Sequence, residues 1–251
     1  MGATVCRAVA GDPALHLVAG VDPFHSGLEL SRVADVAGVD VQVSADASSF
    51  ENAGVQVVVD FTEAAAARQN LDWAASHGVH AVVGTSGFTD EDIDGFAAAF
   101  TRSNCVIAPN FAIGAVLMVR FAELAAPYFE TVEIIELHHD GKVDAPSGTA
   151  MHTAERIAAA SSTWAPDPTT SLVSEGARGA SGPAGIPIHS VRMRGMVAHQ
   201  EVILGTTGQT LVIRHDSIDR TSFMPGVLLA VKGVADHPGV TVGLDTLLGF
   251  S

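Results

Sequence analysis

The sequence predicts an α/β protein: a Rossmann-like, doubly wound parallel sheet, then a second α+β domain with an open, largely antiparallel sheet. Three observations carry this. Up to about residue 110, short apolar runs bounded by turn residues alternate with alanine-rich helical stretches, the rhythm of strand and crossover helix. After 110 the apolar runs follow one another and alternate only partially with polar residues, as in a sheet with one open face. The 251 residues, 47% hydrophobic, suffice for one large core or two modest ones, and two lobes sharing a cleft is the expectation.

Residues 1–10 read as a helix, stopped by Gly11-Asp12-Pro13. A strand over 15–22 (LHLVAGVD) ends in Asp22, and a short one is expected at 39–43. Residues 55–62 (VQVVVDFT) form a continuous apolar run of the kind found in a sheet covered on both faces. A helix over 63–77, a strand over 80–85, a helix over 89–101 capped by Thr89, and a strand over 105–109 complete the first lobe. A long apolar helix over 112–129 then leads to strands at 133–139, 187–194, 199–205 and 210–216. Residues 163–185, rich in Ser, Pro and Gly, read as a long loop. A helix over 222–236 and an apolar ending at 240–250 are expected to pack back on the first lobe. The predicted domains are therefore 1–110 with 217–251, and 111–216.

Composition narrows the function classes. A net charge of -15 and the lack of any basic run argue against nucleic acid as a partner. Mean hydropathy is +0.31, yet no apolar run reaches the ~18 residues of a membrane span. The start has no basic stretch leading into a long apolar core, so no secretory signal is read there. Cys6 and Cys105 lie far apart, which points to reduced thiols and a cytoplasmic protein.

The densest chemistry lies at 133–149, EIIELHHDGKVDAPSGT. His138, His139 and Lys142 can give up protons near neutral pH or hold anions. Only one other lysine, Lys232, occurs in the chain. Ser147 or Thr149 can cap the helical run that starts near Ala150, whose free amides suit a carboxylate or phosphate. A strand sends His138 and His139 to opposite faces, and no recognised metal-ligand spacing is present, so no metal is expected. Arg178 reads as a salt-bridging loop residue, with a substrate contact as the alternative; Arg192, Arg194 and Arg214 read as sheet-surface charges. In the first lobe, ligands of such sheets bind beyond the carboxyl ends of the strands. Asp22, Gly84-Thr85-Ser86-Gly87 and Ala108-Pro109-Asn110-Phe111 all stand at such ends.

The run ELHHDGKVDAPSGTA (136–150) closely resembles the signature of the 4-hydroxy-tetrahydrodipicolinate reductase (dihydrodipicolinate reductase) family. The resemblance continues in GTSGF (84–88), APNFAIG (108–114) and HDSIDRTSFMPGVLLAV (215–231), and so spans nearly the whole chain. It implies an NAD(P)H-dependent reductase of diaminopimelate and lysine synthesis, acting on a small dicarboxylate, assembled as a homotetramer through the second-lobe sheets. Carried over by position, His138 is the catalytic acid and Lys142 a second proton donor or imine-side charge. His139, Ser147, Gly148 and Thr149 contact substrate. Gly2, Asp22, Phe61, Gly84, Thr85, Ser86, Gly87, Ala108, Pro109, Asn110 and Phe111 bind cofactor. Asp22 would pair with a free ribose diol and repel a 2′-phosphate, so NADH is expected to be preferred over NADPH.

One departure stands out. Family members begin with a strand and a Gly-x-x-Gly-x-x-Gly loop, and Gly2 aligns with the last of these glycines. The expectation is a sheet without its first strand and a natural start upstream of Met1. A non-catalytic protein of the same fold and a metal-dependent hydrolase are the competing readings.

Overall fold

The computed structural model describes residues 1–250 and falls into two compact units, 1–113 with 220–250 and 114–219.

The first unit opens on α1 (Gly2–Gly11), followed by β1 (Gly20–Val21), α2 (Leu30–Ala34) and β2 (Val43–Ser44). Next come β3 (Val57–Asp60), α3 (Ala64–His77), β4 (His80–Val83), α4 (Asp90–Ala99) and β5 (Cys105–Ile107). After the second unit the chain returns as α7 (Met224–Gly233) and β11 (Val240–Val242). The order β11-β5-β4-β3 is parallel throughout, so the C-terminal segment does rejoin this unit. Helix α4 starts where sequence placed it. The Thr89 amide donates to Asp92 at 2.8 Å while the Asp92 amide donates to Thr89 Oγ1 at 3.2 Å, a reciprocal cap. Arg68 of α3 grips the same Asp92 with two bonds of 2.7 and 2.8 Å, which holds that carboxyl well below the usual range. Leu71, Ala74, Val83, Phe96, Phe100 and Ile107 form the core between sheet and helices.

Two expectations change here. The parallel strands form two sheets rather than one, because β1 pairs only with β2 and stands apart from the four-stranded sheet. The strand expected over 15–22 shrinks to Gly20–Val21, since that is as far as its ladder with Val43–Ser44 reaches.

In the second unit, α5 (Ile113–Ala125) ends four residues early, in the 3-10 turn Ala126–Tyr128. Pro127 causes this, having no amide to continue the helix. Then follow β6 (Thr131–His138), α6 (Gly148–Ala160), β7 (Ala180–Ser181), β8 (Pro187–Arg192), β9 (Ala198–Thr206) and β10 (Gln209–Ser217). The sheet order is β10-β9-β6-β8-β7, antiparallel except for β6 with β8. Helices α5 and α6 cover one face through Met118, Ala122, Ala154 and Ile157, against Val132, Ile134, Ile188 and Leu204. Along β10 the other face stays open, with Val212 half exposed. The loop expected at 163–185 contains β7 and is tied down by Arg178, which bridges Glu133 of β6 and Asp167 of the loop.

Candidate active site

Period-two alternation along β6 puts Val132, Ile134, Glu136 and His138 on one face. Val132 and Ile134 are buried in the core, and Glu136 continues their line with its side chain wholly out of solvent. A carboxylate so placed is costly unless it is fully paired. Arg192 of β8, from the neighbouring strand, supplies the pairing with Nη1 to Oε2 at 2.9 Å and Nη2 to Oε1 at 2.8 Å. The Ser147 amide donates to Oε1 at 3.2 Å, and His138 Nδ1 lies 2.5 Å from Oε2. Burial alone would raise the Glu136 pKa, but the bonds from Arg192, Ser190 and His138 outweigh it and hold the carboxyl below its usual value. For His138 burial comes first and lowers the pKa, aided by the charges of Lys142 and Arg192 against the pull of Glu136.

Beyond His138 the strand ends and a turn follows, closed by the Lys142 amide donating to the His139 carbonyl at 3.2 Å. Lys142 Nζ is held between both Asp144 oxygens at 2.8 Å. Arg192 Nη2 also reaches the Asp144 carbonyl at 2.6 Å, so one guanidinium ties the buried carboxylate to this turn. His139 is exposed and its ring lies beside Gly141. Ser147 caps α6, with Oγ accepting from the Ala150 amide at 3.2 Å. The helix itself offers the Gly148 and Thr149 amides no acceptor. A Cβ on Gly148 would meet nothing within 4 Å, so the helix start is open to a ligand.

His138, Lys142 and the Ser147–Thr149 turn are thus brought together, and Glu136, Arg192 and Asp144 join them. Glu136 and Asp144 were not singled out from the sequence, and Arg192 was read there as a surface charge. Arg192 is no sheet-surface charge: its side chain is 19% exposed and faces a buried anion. Arg194 is 92% exposed beside Asp140, and Arg214 pairs on the sheet surface with Glu201 and Asp216. Among the described residues no group of three or more His, Cys, Asp or Glu side chains is placed to hold a metal ion.

In the first unit, Phe61, Gly84, Pro109, Asn110 and Phe111 line one cavity of about 200 Å³ with Met1 and Phe223. The strands β3, β4 and β5 deliver these residues at their carboxyl ends. Phe61 and Phe111 stand 5.6 Å apart, tilted by 54°. Gly84 is needed where it is, for a Cβ there would lie 2.1 Å from the Phe61 ring. Behind the turn, buried Asp60 accepts from Thr62, Asn70 and Thr85, which fixes the 84–87 segment. The Thr85 hydroxyl is turned inward and Ala108 is buried, whereas Ser86 and Gly87 are exposed. Asp22 and Gly2 do not line the cavity. Asp22 follows β1 and accepts from the Phe24 amide at 2.9 Å, with His25 Nδ1 at 2.8 Å. Gly2 is the first residue of α1, where a Cβ would meet nothing.

Models of "Dihydrodipicolinate reductase, N-terminus" and "Dihydrodipicolinate reductase, C-terminus" match residues 1–111 and 114–248. The 4-hydroxy-tetrahydrodipicolinate reductase of Mycobacterium sp. (strain KMS) is 50% identical over 255 residues, covering 100% of this chain and 96% of the relative. That of Cutibacterium acnes is 50% identical over 257 residues, covering 100% and 95%. A dipicolinate-bound dihydrodipicolinate reductase from Paenisporosarcina sp. TG-14 superposes with a TM-score of 0.85 at 40% identity, covering 97% of this chain and 93% of that one. Amine dehydrogenase from Mycobacterium smegmatis, at 15% identity and a TM-score of 0.63, shares the fold alone. With both halves of the chain matched and full-length relatives at half identity, the chain belongs to the dihydrodipicolinate reductase family.

Proposed function

We propose that this chain reduces 4-hydroxy-tetrahydrodipicolinate to tetrahydrodipicolinate with NAD(P)H, with loss of water, in diaminopimelate and lysine synthesis. One observation carries the reading: His138 and the Ser147 amide bind the same Glu136 carboxylate. A proton donor and a helix start able to hold a carboxylate therefore lie side by side, as a dicarboxylate acceptor of hydride requires. Bound NAD(P)H supplies the hydride.

The protein's part is orientation and charge. Gly148 and Thr149 offer amides to a substrate carboxylate, with Ser147 shaping the turn and His139 at its open side. Lys142 brings a positive charge next to the imine region, and His138 delivers the proton. In the first unit the aromatic and proline lining of the 200 Å³ cavity suits a flat nicotinamide ring. Gly84 allows close approach, and the 84–87 and 108–111 segments would hold that end of the cofactor. Asp22 would hold the adenosine ribose, and Gly2 would stand near the pyrophosphate. The test is an assay with freshly prepared 4-hydroxy-tetrahydrodipicolinate that follows NADH loss. A rate no greater than without protein, in a chain that still binds NADH, would overturn the assignment.

Asp22 carries the further reading that NADH is preferred. Its carboxyl stays below the usual range because bonds from His25 and the Phe24 amide outweigh partial burial, so it is an anion at neutral pH. An anion repels a 2′-phosphate. We expect kcat/KM to be higher with NADH than with NADPH, and a ratio near unity would refute this role for Asp22.

A homotetramer formed through the second-unit sheet is supported by the open face of β10, where Val212 is exposed. Sedimentation should show a species of four 25.8 kDa chains, and a monomer at micromolar concentration would exclude it. The cytoplasm is the compartment that suits free Cys6 and Cys105.

A further inference from the structure

We infer that Glu136 is a positioning residue: held ionised by Arg192, it fixes the proton of His138 on Nδ1 and so dedicates Nε2 to proton delivery. The inference rests on the reductase reading and adds a residue to it that acts only through His138.

The geometry leaves little choice of proton arrangement. Glu136 has no exposed side-chain surface, and both its oxygens are engaged by Arg192. An ionised carboxylate only accepts hydrogen bonds, so at 2.5 Å from Oε2 the His138 Nδ1 must carry a hydrogen. Neutral His138 then has its lone pair on Nε2, and protonated His138 carries its transferable proton there. A ring flip or a change of tautomer would give up the Nδ1–Oε2 bond to a buried carboxylate and set a lone pair or a C–H against it, which is costly. The backbone is fixed as well, since the Met193 amide donates to the His138 carbonyl at 2.9 Å.

Arg192 gives the arrangement its second property. A lone carboxylate against an imidazole would make it more basic and a poorer acid. Here the guanidinium pairs with that carboxylate, and Lys142, itself paired with Asp144, adds a cation on the turn side. The groups that set His138 are thus Glu136 on its own strand, Arg192 on β8, and Lys142 with Asp144 on the turn. Together they orient the ring and keep its proton mobile near neutral pH.

Nitrogen-15 NMR of the histidine-labelled wild-type chain, titrated with acid, decides the central point without any variant or activity. Neutral His138 is expected as the Nδ1–H tautomer; an Nε2–H tautomer overturns the inference. Glu136→Gln should then lower kcat about 10- to 100-fold, part of the 10²–10⁴ that a positioned proton donor is worth, with KM for NADH unchanged. It should also move the limb where kcat falls with rising pH to lower pH, because an anion near His138 is gone. Since Glu136→Gln leaves Arg192 without its counter-charge and can cost folding, the double variant Glu136→Gln with Arg192→Met removes both charges and should move the limb back up. A limb that stays put in both folded variants would reduce Glu136 to a structural role and refute the inference. If the chain shows no reductase activity while His138 is Nδ1–H, the reaction assignment fails and the proton arrangement stands.

Discussion

Replacing His138 with Gln is expected to lower kcat by about 10²–10⁴-fold while NADH still binds, the loss that removal of a positioned general acid brings. Three features make this effect large. His138 closes β6 at the point where the buried face of the strand first reaches solvent, its side chain 15% exposed. Its Nδ1 is occupied by Glu136, so only one nitrogen is available for transfer. Burial and the neighbouring cations lower its pKa from 6.5, which favours giving the proton away. Glutamine keeps a hydrogen-bonding group near Glu136 but has no titratable proton. Stability should therefore change little, and a fluorescence titration with NADH should resemble that of the wild type. A variant that keeps more than a tenth of the wild-type kcat would move the acid role elsewhere, with Lys142 the next residue to replace. Because the folded pKa of His138 lies below the unfolded one, the group contributes stability present above pH 6.5 and lost as pH falls through the folded value.

What was legible in the sequence follows from the size of the local signal. Strands β4 and β5 are short apolar runs between helices, and their carboxyl ends, read from the sequence as ligand-facing, deliver Gly84 and Pro109–Phe111 to one cavity. The third end so read, at Asp22, follows β1 in a separate sheet and does not line it. Ser147 was readable as a cap because a Ser before a helical run is a local pattern. Glu136 and Arg192 were not readable in the same way. A glutamate and an arginine in strands are by default outward charges, and their pairing depends on β6 and β8 lying side by side, 56 residues apart in sequence. A clue was present all the same: Glu136 falls two residues after Ile134 and two before His138, on the apolar face. The strand over 15–22 failed for the opposite reason. Its pattern is local, but a strand is only as long as the neighbour that pairs with it, and here that neighbour is two residues of β2.

Buried carboxylates recur in both units with related tasks. Asp60 at the end of β3 holds the Thr62 and Thr85 hydroxyls and Asn70, and thereby the turn that presents Gly84. Glu136 near the end of β6 holds Arg192, His138 and the Ser147 amide. In each case a charge that costs stability in isolation is surrounded by donors drawn from separate segments, so several loops are fixed at once. The cores below are mainly apolar layers, and each carboxylate sits where its strand runs out.

Two glycines separate folding from binding in the first unit. Gly226→Ala is expected to lower Tm by roughly 10 °C, the consequence of an overpacking cost of about 3 kcal/mol or more. The added Cβ would lie 2.1 Å from the Phe111 carbonyl oxygen and 3.0 Å from Leu244 Cδ1, and both Phe111 and Leu244 are buried. The nearest atom is backbone, so α7 as a whole must withdraw from the 108–111 segment. Gly84→Ala creates an equally short contact, 2.1 Å, but against the ring of Phe61, which is only partly buried and can swing away. Stability should then fall little. The cost appears in binding, because the displaced ring either enters the cavity or leaves its partner Phe111, and NADH affinity should drop about tenfold or more, 1.4 kcal/mol or above. Melting curves and NADH titrations on the two variants make the comparison. If Gly84→Ala melts as low as Gly226→Ala, the 84–87 turn is part of the folding core, and its assignment to the cofactor loses its main support.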